Sequence, residues 1–132
     1  MQIPSYLVNE HFDDRYFDVV NALDEAWQIH FINNNLLDRI KKAIDSGKHL
    51  IIGETGFGAG RTFVALMEFI KNNNLHDVYI EYFSVELYPI TPERMETILS
   101  GFKYRVKEEI ATLIEAYKNI DTQVPGWHHI KI

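Results

Sequence analysis

The chain has 132 residues, which is the usual length of a single domain. Its composition, 46% apolar and 24% charged, is that of a globular protein and argues against intrinsic disorder. A net charge of −6 argues against nonspecific nucleic-acid binding, and the lack of cysteine excludes disulfides and thiolate metal sites.

No apolar run in the sequence approaches the ~18 residues that a membrane-spanning helix needs. The first ten residues also lack the basic and then apolar pattern of a secretory signal. We therefore expect a cytoplasmic location and no contact with a membrane. The neighbouring residues His128 and His129 point to opposite faces of a strand, so we expect no metal site there.

The N-terminal part of the chain is aromatic and acidic. We treat residues 1–35 as an extension of a single domain whose remainder spans residues 36–132. The apolar spacing over residues 36–44 predicts a helix that Gly47 ends. A short apolar run, His49–Gly53, then predicts a strand buried on both faces, which is typical of a parallel sheet.

Two further strands are predicted, at residues 78–86 and 128–132, because the first segment is rich in β-branched and aromatic residues and the second is apolar. A helical face over residues 63–70 separates the first two strands. Thr91, followed by proline, predicts the start of another helix, which Gly101 interrupts. The resulting order β-α-β-α-α-β predicts parallel strands joined by right-handed crossovers.

The segment Gly53-Glu-Thr-Gly-Phe-Gly-Ala-Gly60 lies directly between the first strand and the next helix. Its glycines allow the backbone to turn sharply and to approach a ligand closely. A phosphate-binding loop would have lysine where Arg61 stands and glycine where Thr55 stands. Arg61 also occupies the position of the third glycine of a dinucleotide fingerprint. Nucleotide binding therefore requires Arg61 to replace the lysine.

The remaining pattern, Glu-x-Gly-x-Gly-x-Gly, suits a ligand without phosphate, such as S-adenosylmethionine. Glu54 is placed to receive the ammonium of this cofactor, and Glu86, at the end of the next strand, to receive its ribose hydroxyls. Leu87 and Tyr88 are placed to flank the adenine. The structural alternative is a glycine-rich turn with solvated carboxylates. The predicted cofactor-binding residues are Glu54, Thr55, Gly56, Phe57, Gly58, Gly60, Glu86 and Leu87.

Several segments are similar to a known family. Residues 53–60 and 83–91 resemble two motifs of the methyltransferase domain of the MnmC family, which comprises bacterial bifunctional enzymes that finish methylaminomethyl-uridine at the tRNA wobble position. Residues 10–17 and 21–25 resemble the opening segment of the family, and residues 125–128 match the stretch that enters its third strand. The similarity keeps the same order over nearly the whole chain.

The resemblance implies a Rossmann-like methyltransferase that moves a methyl group from S-adenosylmethionine to the aminomethyl nitrogen on uridine, with tRNA as its partner. No catalytic residue is assigned. Phe12, Tyr16 and Phe17 are candidates for closing the site or stacking on a base of the substrate. The structural alternative for these aromatic residues is a hydrophobic lid packed on the sheet.

A complete fold of this class needs about 170 residues. The resemblance therefore implies only its N-terminal half, with about three parallel strands and flanking helices. The strand at residues 49–53 would then be an unpaired apolar edge, so we expect either that the chain is incomplete or that this edge pairs with another copy or a partner chain. The alternative function is a non-catalytic or truncated cofactor-binding remnant, or an interaction module, that lacks the acceptor pocket.

Overall fold

The computed structural model describes residues 21–120 in full and the backbone of three further strands, at residues 8–9, 14–15 and 126–131. The strands are β1 (Val8–Asn9), β2 (Asp14–Arg15), β3 (Leu50–Thr55), β4 (Ile80–Glu86) and β5 (Gly126–Lys131). The helices are α1 (Ala22–Ala26), a π-helical turn (Trp27–Ile32), α2 (Leu36–Ser46), α3 (Arg61–Asn72), α4 (Pro92–Leu99), a 3₁₀ turn (Ser100–Phe102) and α5 (Lys103–Tyr117).

Among the described strands, three form the main sheet in the order β3-β4-β5, and β1 and β2 form a separate antiparallel pair. β3 and β4 run parallel, with Leu50 opposite Ile80, so the prediction for the first two strands is confirmed. β5 runs antiparallel to β4, with Gly126 opposite Glu86. The prediction of three parallel strands is therefore wrong at the third strand.

The direction of β5 follows from the pair of helices that precedes it. A single crossover helix returns the chain to the edge of the sheet where the previous strand began, which makes the next strand parallel. Here two helices follow β4, and the Tyr117 hydroxyl at the end of α5 donates a hydrogen bond to the Ile90 carbonyl at 2.8 Å. α5 therefore ends beside the segment that leaves β4, and the chain enters β5 from that same edge.

The helix ends agree with the local signals in the sequence. Gly47 closes α2 in the left-handed conformation, with φ of 66°. Thr91 caps α4, since its hydroxyl oxygen accepts a hydrogen bond from the Arg94 N–H at 3.2 Å. Gly101 lies in the 3₁₀ turn between α4 and α5. Within the described ranges, no helix is both long and apolar enough to cross a lipid bilayer.

The helices that the structure describes cover one face of the sheet. Ile80 and Tyr82 of β4 belong to the same buried cluster as the apolar residues of all five α-helices, and Leu50 and Ile52 of β3 pack against it. The alternate residues of β3 face away from this cluster, and Ile51 is 65% exposed. The prediction that this strand is buried on both faces is therefore wrong, because the described helices supply a single covering layer.

The segment before α2 packs against α3. The rings of Trp27 and Phe31 lie 5.0 and 5.2 Å from the ring of Phe69. The Trp27 indole N–H also donates to the buried carboxylate of Glu68 at 2.9 Å. The described part of the N-terminal region thus contributes to the core, and the domain boundary at residue 35 stays a prediction.

Candidate functional site

The loop between β3 and α3 depends on glycine for its shape. Gly56, Gly58 and Gly60 all have positive φ, at 74°, 58° and 83°. Side chains with a Cβ rarely adopt this conformation, so glycine is required for the turn. A Cβ placed on Gly56 would meet nothing within 4 Å, so the backbone is open to a ligand at this point. Gly60 is instead packed closely under Leu113.

Glu86 holds this loop against the end of β4. One oxygen of its carboxylate accepts a hydrogen bond from the Gly58 N–H at 2.7 Å, and the other accepts one from the Tyr88 N–H at 3.0 Å. Both bonds are charge-assisted and fix the orientation of the carboxylate. A carboxylate has about four lone-pair sites, so Glu86 keeps capacity for further donors.

Glu54 lies at the end of β3 and is partly buried. Its carboxylate accepts hydrogen bonds from the side chains of Tyr82, at 2.7 Å from the hydroxyl, and Thr62. Burial raises the pKa of Glu54, and the bonds from Tyr82 and Thr62 and the charge of Arg61 oppose that rise. Burial and the nearby Glu54 charge raise the pKa of Tyr82, which therefore remains a hydrogen-bond donor.

A cleft of about 700 Å³ runs beside β3 and contains Glu54. The strand and the glycine loop line this cleft, and so do His30, Asn34 and Arg39. Thr55, Gly56, Phe57 and Gly58 of the predicted site also line this cleft. Most of the predicted loop residues are thus brought together around one opening.

Glu86 is placed differently from Glu54. It lines a small cavity of about 10 Å³ that Ser84 and Tyr117 also line. Phe57 and Tyr82 line both this cavity and the large cleft. Glu54 and Glu86 therefore line separate cavities at the same edge of the sheet, although burial and, to a smaller extent, the charge of Glu86 raise the pKa of Glu54.

Gly60 and Leu87 of the predicted site line neither the large cleft nor the small cavity. Leu87 is 58% exposed and follows Glu86 at the surface. Phe12, Tyr16 and Phe17 lie outside the described residues. In the described ranges, no group of three His, Asp or Glu side chains is arranged to hold a metal ion.

The structure adds side chains that the sequence analysis did not select. Tyr82 and Thr62 contact Glu54 from the neighbouring strand and the following helix. The Arg61 guanidinium donates a hydrogen bond to the Ala22 carbonyl at 3.0 Å, so part of its hydrogen-bonding capacity is directed to α1. Burial and the charge of Arg61 lower the pKa of His30. Tyr82 lies near Glu54 because β3 and β4 pair in parallel, with Ile52 opposite Tyr82 and Glu54 opposite Ser84.

These features define a mixed α/β protein with a parallel strand pair and a glycine-rich loop at the carboxyl edge of its sheet, an arrangement compatible with a Rossmann-like fold. Comparison with curated proteins identifies relatives of this chain within that class. The chain is 33% identical over 89 residues, or 67% of its length, to the tRNA 5-methylaminomethyl-2-thiouridine biosynthesis bifunctional protein MnmC of Pseudomonas fluorescens (strain Pf0-1).

Two other relatives carry the same name. The protein from Hydrogenovibrio crunogenus is 28% identical over 90% of this chain, and that from Leptospira borgpetersenii serovar Hardjo-bovis is 28% identical over 94%. The chain spans only 13–18% of the length of these three relatives. No protein-family model matches it. The resemblance to MnmC is confirmed, and the chain is an MnmC-like sequence related to one part of that bifunctional protein.

Proposed function

We propose that this chain binds S-adenosylmethionine at the glycine loop and forms the cofactor-binding part of a Rossmann-like methyltransferase. The observation that carries the proposal is the hydrogen bond between Glu86 and the Gly58 N–H, 2.7 Å long. It joins an acid at the end of one parallel strand to the glycine loop at the end of its neighbour. The substrate we propose, by similarity to MnmC, is the aminomethyl group on the wobble uridine of tRNA.

Glu86 is suited to bind the ribose hydroxyls. Its two bonds to backbone N–H groups keep the carboxylate in one orientation before any ligand arrives. The remaining lone pairs accept hydrogen bonds from a vicinal diol without loss of the existing ones. Pre-orientation of this kind lowers the entropy cost of binding.

Glu54 is the acid that we assign to the ammonium group of the cofactor. It faces the large cleft and is held by the Tyr82 hydroxyl. Its raised pKa means that the charged form, which attracts a cation, is lost at a higher pH than for an exposed glutamate. Thr55, Gly56, Phe57 and Leu87 complete the proposed cofactor site.

S-adenosylmethionine, held by Glu54 and Glu86, would supply the methyl group that the amine nitrogen of the substrate accepts. The contribution of the protein is to orient the reactants, which supplies a large part of such a rate enhancement. In this proposal Phe12, Tyr16 and Phe17 hold the uridine base by stacking.

Isothermal titration calorimetry with S-adenosylhomocysteine tests the binding. We expect the parent chain to bind and Glu86→Gln to bind at least about tenfold more weakly, because the ribose loses a hydrogen bond to a charged group. The matched control is Glu81→Gln, at the other end of the same strand, which should bind as the parent does. No binding by the folded parent at millimolar ligand would contradict the proposal, and equal affinity of Glu86→Gln would remove the ribose role.

A second candidate is cofactor binding without methyl transfer. The placement of Glu54 and Glu86 favours it, since the two acids line separate cavities and do not share one opening. Methyl transfer to tRNA under single-turnover conditions discriminates the two. Transfer supports the methyltransferase, whereas binding without transfer supports a cofactor-binding or interaction module. Both candidates include association of another chain with the edge of β3.

A further inference from the structure

Arg61 begins α3 and lines the large cleft together with Glu54. Its guanidinium donates a hydrogen bond to the Ala22 carbonyl at 3.0 Å, and among the described residues this side chain makes no other hydrogen bond and no ion pair. A guanidinium carries five N–H donors in a rigid plane, so most of its binding capacity remains. The cofactor contacts assigned to Glu54 and Glu86 do not involve this cation.

Glu54 is the acid that lies nearest to Arg61 in function as well as in position. Thr62, the residue after Arg61, forms a hydrogen bond with the Glu54 carboxylate, so the first turn of α3 lies against this acid. Burial raises the pKa of Glu54 and of Tyr82, and the charge of Arg61 opposes both rises, which requires a guanidinium close to both groups. The Glu54 carboxylate and the Arg61 guanidinium are nevertheless not bonded to each other. The cleft thus contains two opposite charges that are neighbours but remain separate.

We propose that Arg61 binds the α-carboxylate of an amino-acid ligand whose ammonium group is held by Glu54. An α-amino acid carries these two charges on one carbon atom, so a site for it needs an acid and a cation side by side. In S-adenosylmethionine this is the methionine end of the cofactor, and the inference therefore rests on the proposed function. The planar guanidinium can pair with both oxygens of the carboxylate at once. Arg61 then makes the site specific for an intact amino-acid end rather than for an amine alone.

Two other side chains of the cleft can carry a positive charge, His30 and Arg39. Burial and the charge of Arg61 lower the pKa of His30, so its imidazole is mainly neutral at pH 7. Arg39 is exposed on α2, and its charge is not among those that act on Glu54. Arg61 is partly buried and already anchored to α1, so it loses less conformational freedom when it binds a ligand. Arg61 is therefore the cation best placed to act together with Glu54.

Two ligands that differ only in the carboxylate test the proposal. They are S-adenosylhomocysteine and its decarboxylated analogue, which keeps the ammonium group. In isothermal titration calorimetry the parent chain should bind S-adenosylhomocysteine at least about tenfold more tightly than the analogue, because the analogue lacks a charged hydrogen-bonded pair. Arg61→Gln should lose this preference, with the affinity for S-adenosylhomocysteine lowered at least about tenfold. The analogue should bind to Arg61→Gln no more weakly than to the parent, because a cation near its ammonium group has been removed.

The comparison of two ligands separates binding from folding, since a partly unfolded Arg61→Gln would bind both ligands more weakly by the same factor. That result would overturn the proposal. The matched control is Lys41→Gln, which removes an exposed charge of α2 outside the cleft and should keep both parent affinities. A loss of preference in Arg39→Gln and not in Arg61→Gln would also overturn the proposal.

The parent chain distinguishes this inference from the proposed function. Equal affinity for the two ligands would overturn the role of Arg61 and leave cofactor binding intact. Binding of neither ligand by the folded parent would contradict cofactor binding and the role of Arg61 together. Tighter binding of ATP than of S-adenosylhomocysteine would assign Arg61 to a phosphate group, which would overturn the carboxylate role as well.

Discussion

The Glu54–Tyr82 pair combines a partly buried acid with a buried hydroxyl at the edge of the cleft. The two oxygens are 2.7 Å apart, and burial of Glu54 is the main cause of its raised pKa. The folded protein therefore favours the protonated acid more than the unfolded chain does. The stability that this contributes is present below the ordinary glutamate pKa of about 4.3 and is lost as the pH rises through the raised pKa.

Replacement of Glu54 by glutamine tests whether the protonation state of Glu54 changes the stability of the fold. Glu54→Gln resembles the neutral acid, so we expect a higher free energy of unfolding than the parent at pH 7 to 8. The difference should shrink toward zero at about pH 4, where the parent acid is also neutral. Urea unfolding from pH 4 to pH 8 measures it. The exposed control Glu115→Gln should change stability by less than about 0.5 kcal/mol. A destabilised Glu54→Gln at pH 8 would contradict the assignment.

The glycines of the chain differ in what an added methyl group would meet. At Gly60 a Cβ would lie 2.5 Å from Leu113 Cδ2, and the residue also has φ of 83°. Gly60→Ala should therefore lower the free energy of unfolding by about 2–4 kcal/mol, from backbone strain together with overpacking. At Gly101 a Cβ would meet nothing within 4 Å, so Gly101→Ala is the control and should change stability little. Thermal unfolding compares them, and equal melting temperatures would contradict the packing described.

At the scale of elements, Arg105 joins α1, α3 and α5. Its guanidinium forms two hydrogen bonds with the buried Glu68 carboxylate, at 2.7 and 2.9 Å, and a third with Asp24 at 2.8 Å. Trp27 donates to the same carboxylate. This network links α1 and the following Trp27 to α3 and α5.

Replacement of Arg105 should destabilise the fold. Arg105→Met leaves Glu68 buried without its cation, so we expect the free energy of unfolding to fall by about 2–4 kcal/mol. Lys103→Met is the matched control, because its pair with Glu96 is exposed and should be worth less than about 1 kcal/mol. Chemical denaturation of both variants measures the difference. Similar losses in the two variants would show that the Arg105 network does not hold these helices.

For the whole molecule, the direction of β5 distinguishes this chain from a sheet built only of parallel strands. The register places Glu81 opposite Lys131 and Glu86 opposite Gly126. The double variant Glu81→Cys/Lys131→Cys should therefore form an intramolecular disulfide, since paired Cα atoms are about 5 Å apart. Glu81→Cys/Gly126→Cys is the control and should not, because five residues of strand separate the positions by about 17 Å. Mass spectrometry under mild oxidation detects the bond, and the reverse result would indicate a parallel third strand.

The features that sequence analysis predicted well depend on local chemistry. Helix periodicity, the Thr91 cap, the Gly47 end and the run of glycines after β3 are each decided by a few neighbouring residues. The parallel pairing of β3 and β4 follows from the single helix between them, which sets the handedness and direction of the crossover.

The features that the sequence did not predict depend on packing between residues that are far apart in the chain. β5 is antiparallel because α4 and α5 together return the chain to the edge where β4 ends, as the contact of Tyr117 with Ile90 records. β3 is exposed on one face because the described helices all join one core cluster. Glu54 and Glu86 line separate cavities, and Phe57 and Tyr82 line both. Such outcomes depend on the packing of side chains far apart in sequence, which no local pattern of residues encodes.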